Sequence, residues 1–289
     1  MSEENYSNAM RAEVLAQALP YIKEYHGKTI VVKYGGNAMI SETLREQVME
    51  DIVLLSKVGV RVILVHGGGP EITEMMTRLN KEAVFRDGLR VTDQETIDIV
   101  QMVLAGKINK SLVKLIELKG GKAIGLSGMD GSLIQAKIRD EKYGFVGDVT
   151  KINPDPILDL LDRGYIPVIS TLGCDEKGNT YNINGDTAAG AIAGALNASR
   201  MIMMTDITGV MYDKDDPNSL IRELSVSEAI RMKEEGRIKG GMIPKILCCI
   251  EALNQGVDAV VIIDGRVPHA VLMEILTNEG AGTIIRKDS

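Results

Sequence analysis

Tryptophan is absent from the 289 residues and phenylalanine occurs twice, which argues against an aromatic platform on which successive bases could stack. Cysteine is scarce as well. Cys174 and the vicinal pair Cys248 and Cys249 supply neither a disulfide framework nor the ligand spacing of a zinc site, which suits a reducing compartment. Basic charge is in deficit: 33 Lys and Arg face 40 Asp and Glu, for a net charge of -7 and a pI near 5.2. That balance argues against a broad nucleic-acid or anionic-membrane surface but leaves room for a small, locally basic pocket. No apolar run approaches the roughly 18 residues of a membrane span, and the N-terminal MSEENYSNAM lacks the basic-then-apolar order of a signal peptide. These absences predict a soluble, cytoplasmic protein without nucleic-acid or membrane partners.

What is present is an ordinary globular composition, 45% hydrophobic and 25% charged, in a chain long enough to bury about three-quarters of its unfolded surface. Short β-rich runs alternate with helical patterns. TIVVKY, RVILVH, KAIGLS, IPVIST, RMIMMT, AVVIID and GTIIRK are continuous apolar runs of the kind that suits parallel strands buried on both faces. Between the first two, Leu44, Val48, Ile52 and Leu55 recur at helical spacing, with Ser41 as N-cap and Gly59 just past the end. Repetition of this β-α-β unit predicts an α/β fold, a three-layer αβα sandwich around a mainly parallel open sheet. SLIQAKIRDEKYGFVGDVTKI leaves no room for a crossover helix and predicts a protruding β-hairpin over residues 132–152. Residues 9–25 form an extra N-terminal helical pattern, interrupted at Pro20, that the α/β core does not require. Three units result: an extension over residues 1–27, an N-terminal lobe over 28–180 and a C-terminal lobe over 181–289.

Open α/β sheets bind ligands beyond the carboxyl ends of their strands. Two glycine clusters occupy that place, Gly35 and Gly36 after TIVVKY, and Gly67, Gly68 and Gly69 after RVILVH. Successive glycine N–H groups can converge on an anion, and Pro70 suits the first turn of a helix whose N-terminus adds partial positive charge. A tight turn alone would explain either cluster; two at adjacent strand ends, one beside Lys33, favour an anion site. No window fits GxxxxGK followed by Ser or Thr, and none fits GxGxxG. Further on, Asn182, Asn184 and Asp186 precede a helix rich in small residues, and Asp186 could be simply its cap. Thr205, Asp206, Thr208 and Gly209 follow a strand, and Lys239 and Lys245 flank Gly240 and Gly241.

The ordered set KYGGNAM, LVHGGGPEI, GLRVT, NINGDTAAGAIA, TDITGV and KGGMIPK resembles the amino acid kinase family, and within it the branch that phosphorylates acetylglutamate; the resemblance runs from about residue 28 to the C-terminus. It implies ATP-dependent phosphorylation of the side-chain carboxylate of N-acetyl-L-glutamate, with Mg2+, on the route to arginine. It also implies roles. Lys33 and Lys245 match the lysines that stabilise the transferring phosphoryl group, and Asp186 the aspartate that holds them. Gly68, Gly69, Arg90 and Asn182 match the acetylglutamate contacts, and Gly35 and Gly36 the loop around the phosphates. Thr205, Asp206 and Gly209, with Lys239, Gly241 and Met242, resemble the nucleotide side. No protein metal ligand is implied. A carboxylate is already ionised at neutral pH, so no general base is needed, and His26, His66 and His269 are read as structural, His66 as buried at a strand end.

The chain ends add a regulatory reading. Within the family, an N-terminal helix before the first strand accompanies hexamers, trimers of dimers, that arginine inhibits. HAVLMEILTNEGAGTII resembles the C-terminal signature of those members, which would place Glu279, Gly280 and Gly282 near the effector. One position departs from the pattern: Arg200 stands where many arginine-sensitive relatives carry lysine. The resemblance also admits a PII-type nitrogen regulator as a partner. Competing readings are another kinase of the same fold (carbamate, aspartate, glutamate or uridylate), a catalytically silent arginine sensor, and a nicotinamide oxidoreductase, which the missing fingerprint disfavours.

Overall fold

The computed structural model describes residues 7–39, 41–213, 216 and 218–288. The first six residues of the expected N-terminal extension lie outside them. Helices α1 (Asn8–Gln17) and α2 (Leu19–Tyr25) precede β1 (Thr29–Tyr34), and α3 (Glu42–Lys57) crosses to β2 (Arg61–His66). After α4 (Gly69–Arg78) comes a two-stranded ribbon, β3 (Phe85–Arg86) and β4 (Leu89–Arg90). Then α5 (Gln94–Gln101), a π-helical stretch over Met102–Ile108 and α6 (Asn109–Leu118) follow one another without a break and lead to β5 (Ala123–Ser127). The chain continues through β6 (Ile134–Ile138), β7 (Val146–Ile152), α7 (Asp155–Asp162), β8 (Ile166–Ser170), β9 (Leu172–Cys174), β10 (Thr180–Ile183), α8 (Gly185–Ala195) and β11 (Arg200–Thr205). It ends with β12 (Glu223–Ser225), α9 (Val226–Glu234), α10 (Met242–Asn254), β13 (Ala259–Asp264), α11 (Ala270–Leu276) and β14 (Gly282–Arg286).

Eight strands form one sheet in the order β12-β14-β13-β11-β1-β2-β8-β5, parallel except that β14 runs antiparallel to β13 and carries β12 with it. All seven runs read as strands are strands of this sheet. Period-two alternation divides the core: Ile30 and Val32 of β1 pack with Met49 and Ile52 of α3 and Leu112 of α6, whereas Val31 packs with Ala188 and Ile192 of α8 and Ile246 of α10. The predicted three-layer sandwich is thus observed. Ser41 caps α3 by accepting from the Leu44 N–H, and Gly59 follows the helix with a φ of 94°.

β6 and β7 form the expected hairpin, with a bulge between Gln135 and Ala136, but they do not stand alone. β10 pairs with β7 and β9, and β9 with β6, closing a four-stranded barrel beside the sheet. Segments of three and four residues carry too little alternation to show as strands in advance. At the N-terminus, Pro20 sits in the first turn of α2, where its missing N–H costs nothing, so the break falls at Ala18. α1 buries no residue, and Met10, Val14 and Leu15 are exposed along it. No helix among the described residues is long and apolar enough to cross a membrane.

Candidate active site

β1 lies between β2 and β11, so the chain departs from it in opposite directions, and the crevice beyond its carboxyl end is the switch point where such sheets bind ligands. Alternation along β1 puts Lys33 on the face of Val31, towards α8. There Lys33 Nζ lies 2.9 Å from Asp186 Oδ1, and Lys245, from the first turn of α10, donates to Oδ2 at 3.1 Å. The Lys33 contact is a close ion pair outside hydrogen-bond geometry, which leaves Oδ1 without a hydrogen-bond donor. Asp186 is not the cap of its helix. Asn184 takes that role, its side-chain oxygen accepting from the N–H groups of Asp186 and Thr187, which frees the aspartate for the lysines. Burial pushes the Asp186 carboxyl up, but the two ammonium groups outweigh it and hold the group below the usual carboxylate range.

The backbone of Gly36 calls for glycine, and Gly35 leaves room for the end of the Lys33 side chain. Gly36 has a φ of 69°, and a Cβ there would come 2.5 Å from Asp206 Oδ1; a Cβ on Gly35 would come 2.8 Å from Lys33 Nζ. After β2, Gly68 is the N-cap residue of α4 and offers no side chain to the first-turn N–H groups, leaving a helix N-terminus open to an anion. Arg90, only 6% exposed, donates from NH2 to the Gly69 carbonyl at 2.9 Å and to Thr73 Oγ1 at 2.8 Å. Its guanidinium carbon lies 4.7 Å from the centre of the Phe85 ring. Burial depresses the Arg90 pKa with no carboxylate to offset it, so this cation is uncompensated within the described residues. Asn182, half-buried on β10, makes no side-chain hydrogen bond to another described residue, while its backbone N–H donates to Phe145.

Thr205 ends β11 buried, its hydroxyl accepting from the Ile207 N–H at 3.2 Å, and Asp206 follows beside Gly36. Gly209, with a φ of 150°, passes so close to Thr283 that a Cβ would lie 2.5 Å from its Oγ1. Lys239 and Gly241 are exposed on the loop into α10, which Met242 begins; neither makes an ion pair or side-chain bond that ties it to Thr205 or Asp206. Glu279, Gly280 and Gly282 belong elsewhere. They line a cavity of about 310 Å³ together with Tyr21, Glu24 and Arg200. Arg200 opens β11 and Thr205 closes it, so Arg200 brings this cavity to the opposite end of that strand. Burial pushes the nearby Glu274 carboxyl up, and its Oε2 accepts the Ala281 N–H at 2.8 Å.

The profile of the amino acid kinase family matches residues 28–264. The chain belongs to that family. Acetylglutamate kinase of Heliobacterium modesticaldum is 51% identical, over 96% of this chain and 98% of its own. Acetylglutamate kinase of Clostridium beijerinckii is 55% identical, over 95% and 98%. Among solved structures, N-acetylglutamate synthase from Neisseria gonorrhoeae, complexed with coenzyme A and N-acetyl-glutamate, matches 96% of this chain with a TM-score of 0.83 at 26% identity; the chain spans 64% of that protein. Carbamate kinase from Giardia lamblia shares the fold, with a TM-score of 0.68 at 20% identity over 91% of this chain and 99% of that one. As an amino acid kinase the chain is an enzyme, and ATP is its phosphoryl donor.

Several residues that shape this amino acid kinase escaped the sequence reading. Thr73 and Phe85 fix Arg90, and only their approach in three dimensions reveals it. Tyr21 and Glu24 join the cavity from α2 and Arg222 from the approach to β12, with no shared motif. Asn109, fully buried on α6, was hidden in an ordinary amphipathic pattern. His66 is fully buried at the end of β2, as expected, and burial lowers its pKa to about 4. A histidine held neutral in the fold but protonated in the unfolded chain costs stability as pH falls from its unfolded pKa towards its folded one. Between pH 6.5 and 4 the unfolding free energy should therefore drop by about 3 kcal/mol more in the wild type than in His66→Leu. Urea denaturation across that range measures it, and parallel curves would refute it.

Proposed function

We propose that this kinase transfers the γ-phosphoryl group of ATP to the side-chain carboxylate of N-acetyl-L-glutamate, giving N-acetyl-L-glutamyl 5-phosphate in arginine biosynthesis. The observation that carries this reading is the convergence of Lys33 and Lys245 on Asp186 at the strand ends. The near-full-length relatives named acetylglutamate kinase support the substrate. A carboxylate oxygen attacks the γ-phosphorus, forming a P–O bond as the bond to the β,γ-bridging oxygen breaks and ADP leaves. Bringing two anions together in line is the main obstacle, and fixed positive groups relieve it. In this reading Lys33 and Lys245 neutralise the phosphoryl oxygens, Asp186 aligns them, and the open N-terminus of α4 with Gly68 and Gly69 takes a negative oxygen. Gly35 and Gly36 let the phosphates approach the backbone. The uncompensated Arg90 meets a substrate carboxylate, with Asn182 beside it. Residues 28–180 then serve acetylglutamate, and 181–289 serve ATP through Thr205, Asp206, Gly209, Lys239, Gly241 and Met242.

Among the described residues no three His, Cys, Asp or Glu side chains are grouped to hold a metal, and Mg2+ enters this proposal as the nucleotide's own counter-ion. ADP release measured with and without acetylglutamate, with hydroxylamine trapping of the acyl phosphate, tests the reaction. Equal release in both arms would refute it, and no release in either would favour a silent sensor; release with carbamate, aspartate, glutamate or uridylate alone would point to another family activity. Arg90→Ala should raise the KM for acetylglutamate about 10- to 100-fold, the loss expected for a charge-assisted hydrogen-bonded pair, with a smaller change in kcat. An unchanged KM would remove Arg90 from the substrate.

Arginine is proposed as a feedback inhibitor bound in the cavity of Glu279, Gly280 and Gly282. Glu24, Glu274 and Glu279 offer partners for a guanidinium, and Arg200 one for a carboxylate. The exposed apolar residues of α1 suit packing between dimers in a hexamer. Deleting residues 1–25 should lower the mass in solution and abolish arginine inhibition while catalysis persists. Unchanged mass and inhibition, by light scattering and inhibition curves, would end both ideas.

A further inference from the structure

His66 takes no part in the transfer just described, yet its ring is tied in two directions. Nδ1 lies 2.9 Å from the carbonyl oxygen of Gly67, and Nε2 lies 3.1 Å from Asn109 Nδ2. The Asn109 amide has one workable orientation, because Nδ2 also faces two carbonyl oxygens, Val168 at 2.9 Å and Leu126 at 3.1 Å, and carbonyls only accept. A donor beside Nε2 leaves that nitrogen unprotonated, so the single ring proton sits on Nδ1 and is donated to Gly67. Burial keeps the ring neutral.

In a trans peptide the C=O and N–H groups point to opposite sides, and no cis bond occurs among the described residues. His66 falls on the face of Leu64, towards α6, whereas Lys33 falls on the opposite face, towards α8. With the Gly67 carbonyl drawn to the ring, the Gly68 N–H is turned to the side of Lys33 and Asp186. It has no acceptor among the described residues.

We propose that His66, oriented by Asn109, is a positioning residue: it locks the Gly67–Gly68 peptide so that the Gly68 N–H is aimed at the transferring phosphoryl group. The inference rests on the kinase reading above. A peptide free to rotate would lose a preorganised donor, an effect on the order of 100-fold when complete. His66→Leu should lower kcat about 10- to 100-fold with the KM for ATP changed less than about twofold. His66→Asn, which restores a donor near the place of Nδ1, should recover most of the kcat; His66→Gln, whose amide reaches the place of Nε2, should not. A merely structural histidine would lower the Tm of all three and leave the kcat of the folded fraction alike, and that pattern overturns the proposal. Should His66→Leu fail to fold, long-range 1H–15N correlation of wild-type His66 decides: protonation at Nδ1 supports the lock, protonation at Nε2 overturns it. Wild-type protein without acetylglutamate-dependent ADP release would sink the kinase reading instead, and the tautomer would still report on the peptide.

Discussion

Lys33→Met and Lys245→Met should each slow acetylglutamate phosphorylation by on the order of 100- to 1,000-fold, the range seen when one preorganised donor is removed from a developing negative charge. Methionine keeps most of the length and apolar stem, so the loss isolates the ammonium group. Both lysines meet one carboxylate, at 2.9 and 3.1 Å, and so address one place. The double variant should therefore fall far short of the product of the single effects, because groups acting as a unit are not additive. Since the positive charge matters most when charge spreads over the phosphoryl oxygens, kcat should fall more than either KM rises. Near-normal turnover in a folded Lys33→Met protein would refute the shared role.

Asp186→Ala should cost both activity and stability. Its side chain is 16% exposed, and removing it leaves two ammonium groups, themselves 12% and 25% exposed, facing each other without a counter-charge. Breaking such a pair costs about 3 kcal/mol, the low end for buried pairs because Lys245 is partly solvated. Turnover should fall at least about 100-fold, as the lysines splay apart and lose alignment. The stability difference has a defined pH dependence. An aspartate held below its unfolded pKa contributes fully above about pH 4 and loses that contribution as pH falls through the lowered folded value. In urea denaturation the gap between the two proteins should be widest at neutral pH and narrow steadily as pH falls below about 4. A constant gap would assign the effect to packing instead of charge.

The sheet was legible because its strands are continuous apolar runs that only a doubly covered parallel sheet accommodates, and α3 because cap, period and terminal glycine agree. β9 and β10 were not legible: LGC and TYNI pair with each other over only three positions and complete their ladders on β6 and β7, some thirty-five residues or more upstream. The barrel is a tertiary decision. At the site, Gly36 and Gly68 could be placed at strand ends, but nothing local to NINGD separates Asn184 the cap from Asp186 the ligand of two lysines. Proximity made that distinction. Lys33 and Lys245 were joined through the order of motifs, since no spacing rule links residues on β1 and α10. The cavity of Glu279 and Gly280 draws on α2, β11 and α11 at once, and its electrostatics, with Arg200, Arg222 and Arg286 among four glutamates, exist only after folding.

β1 hydrogen-bonds to β2 along one edge and to β11 along the other, in registers of six and four residue pairs. A proposed division near residue 180 therefore crosses an unbroken ladder, and separating the halves as hinged jaws would tear β1 from β11. Lys33 on β1 and Asp186 after the division therefore keep their places relative to one continuous sheet.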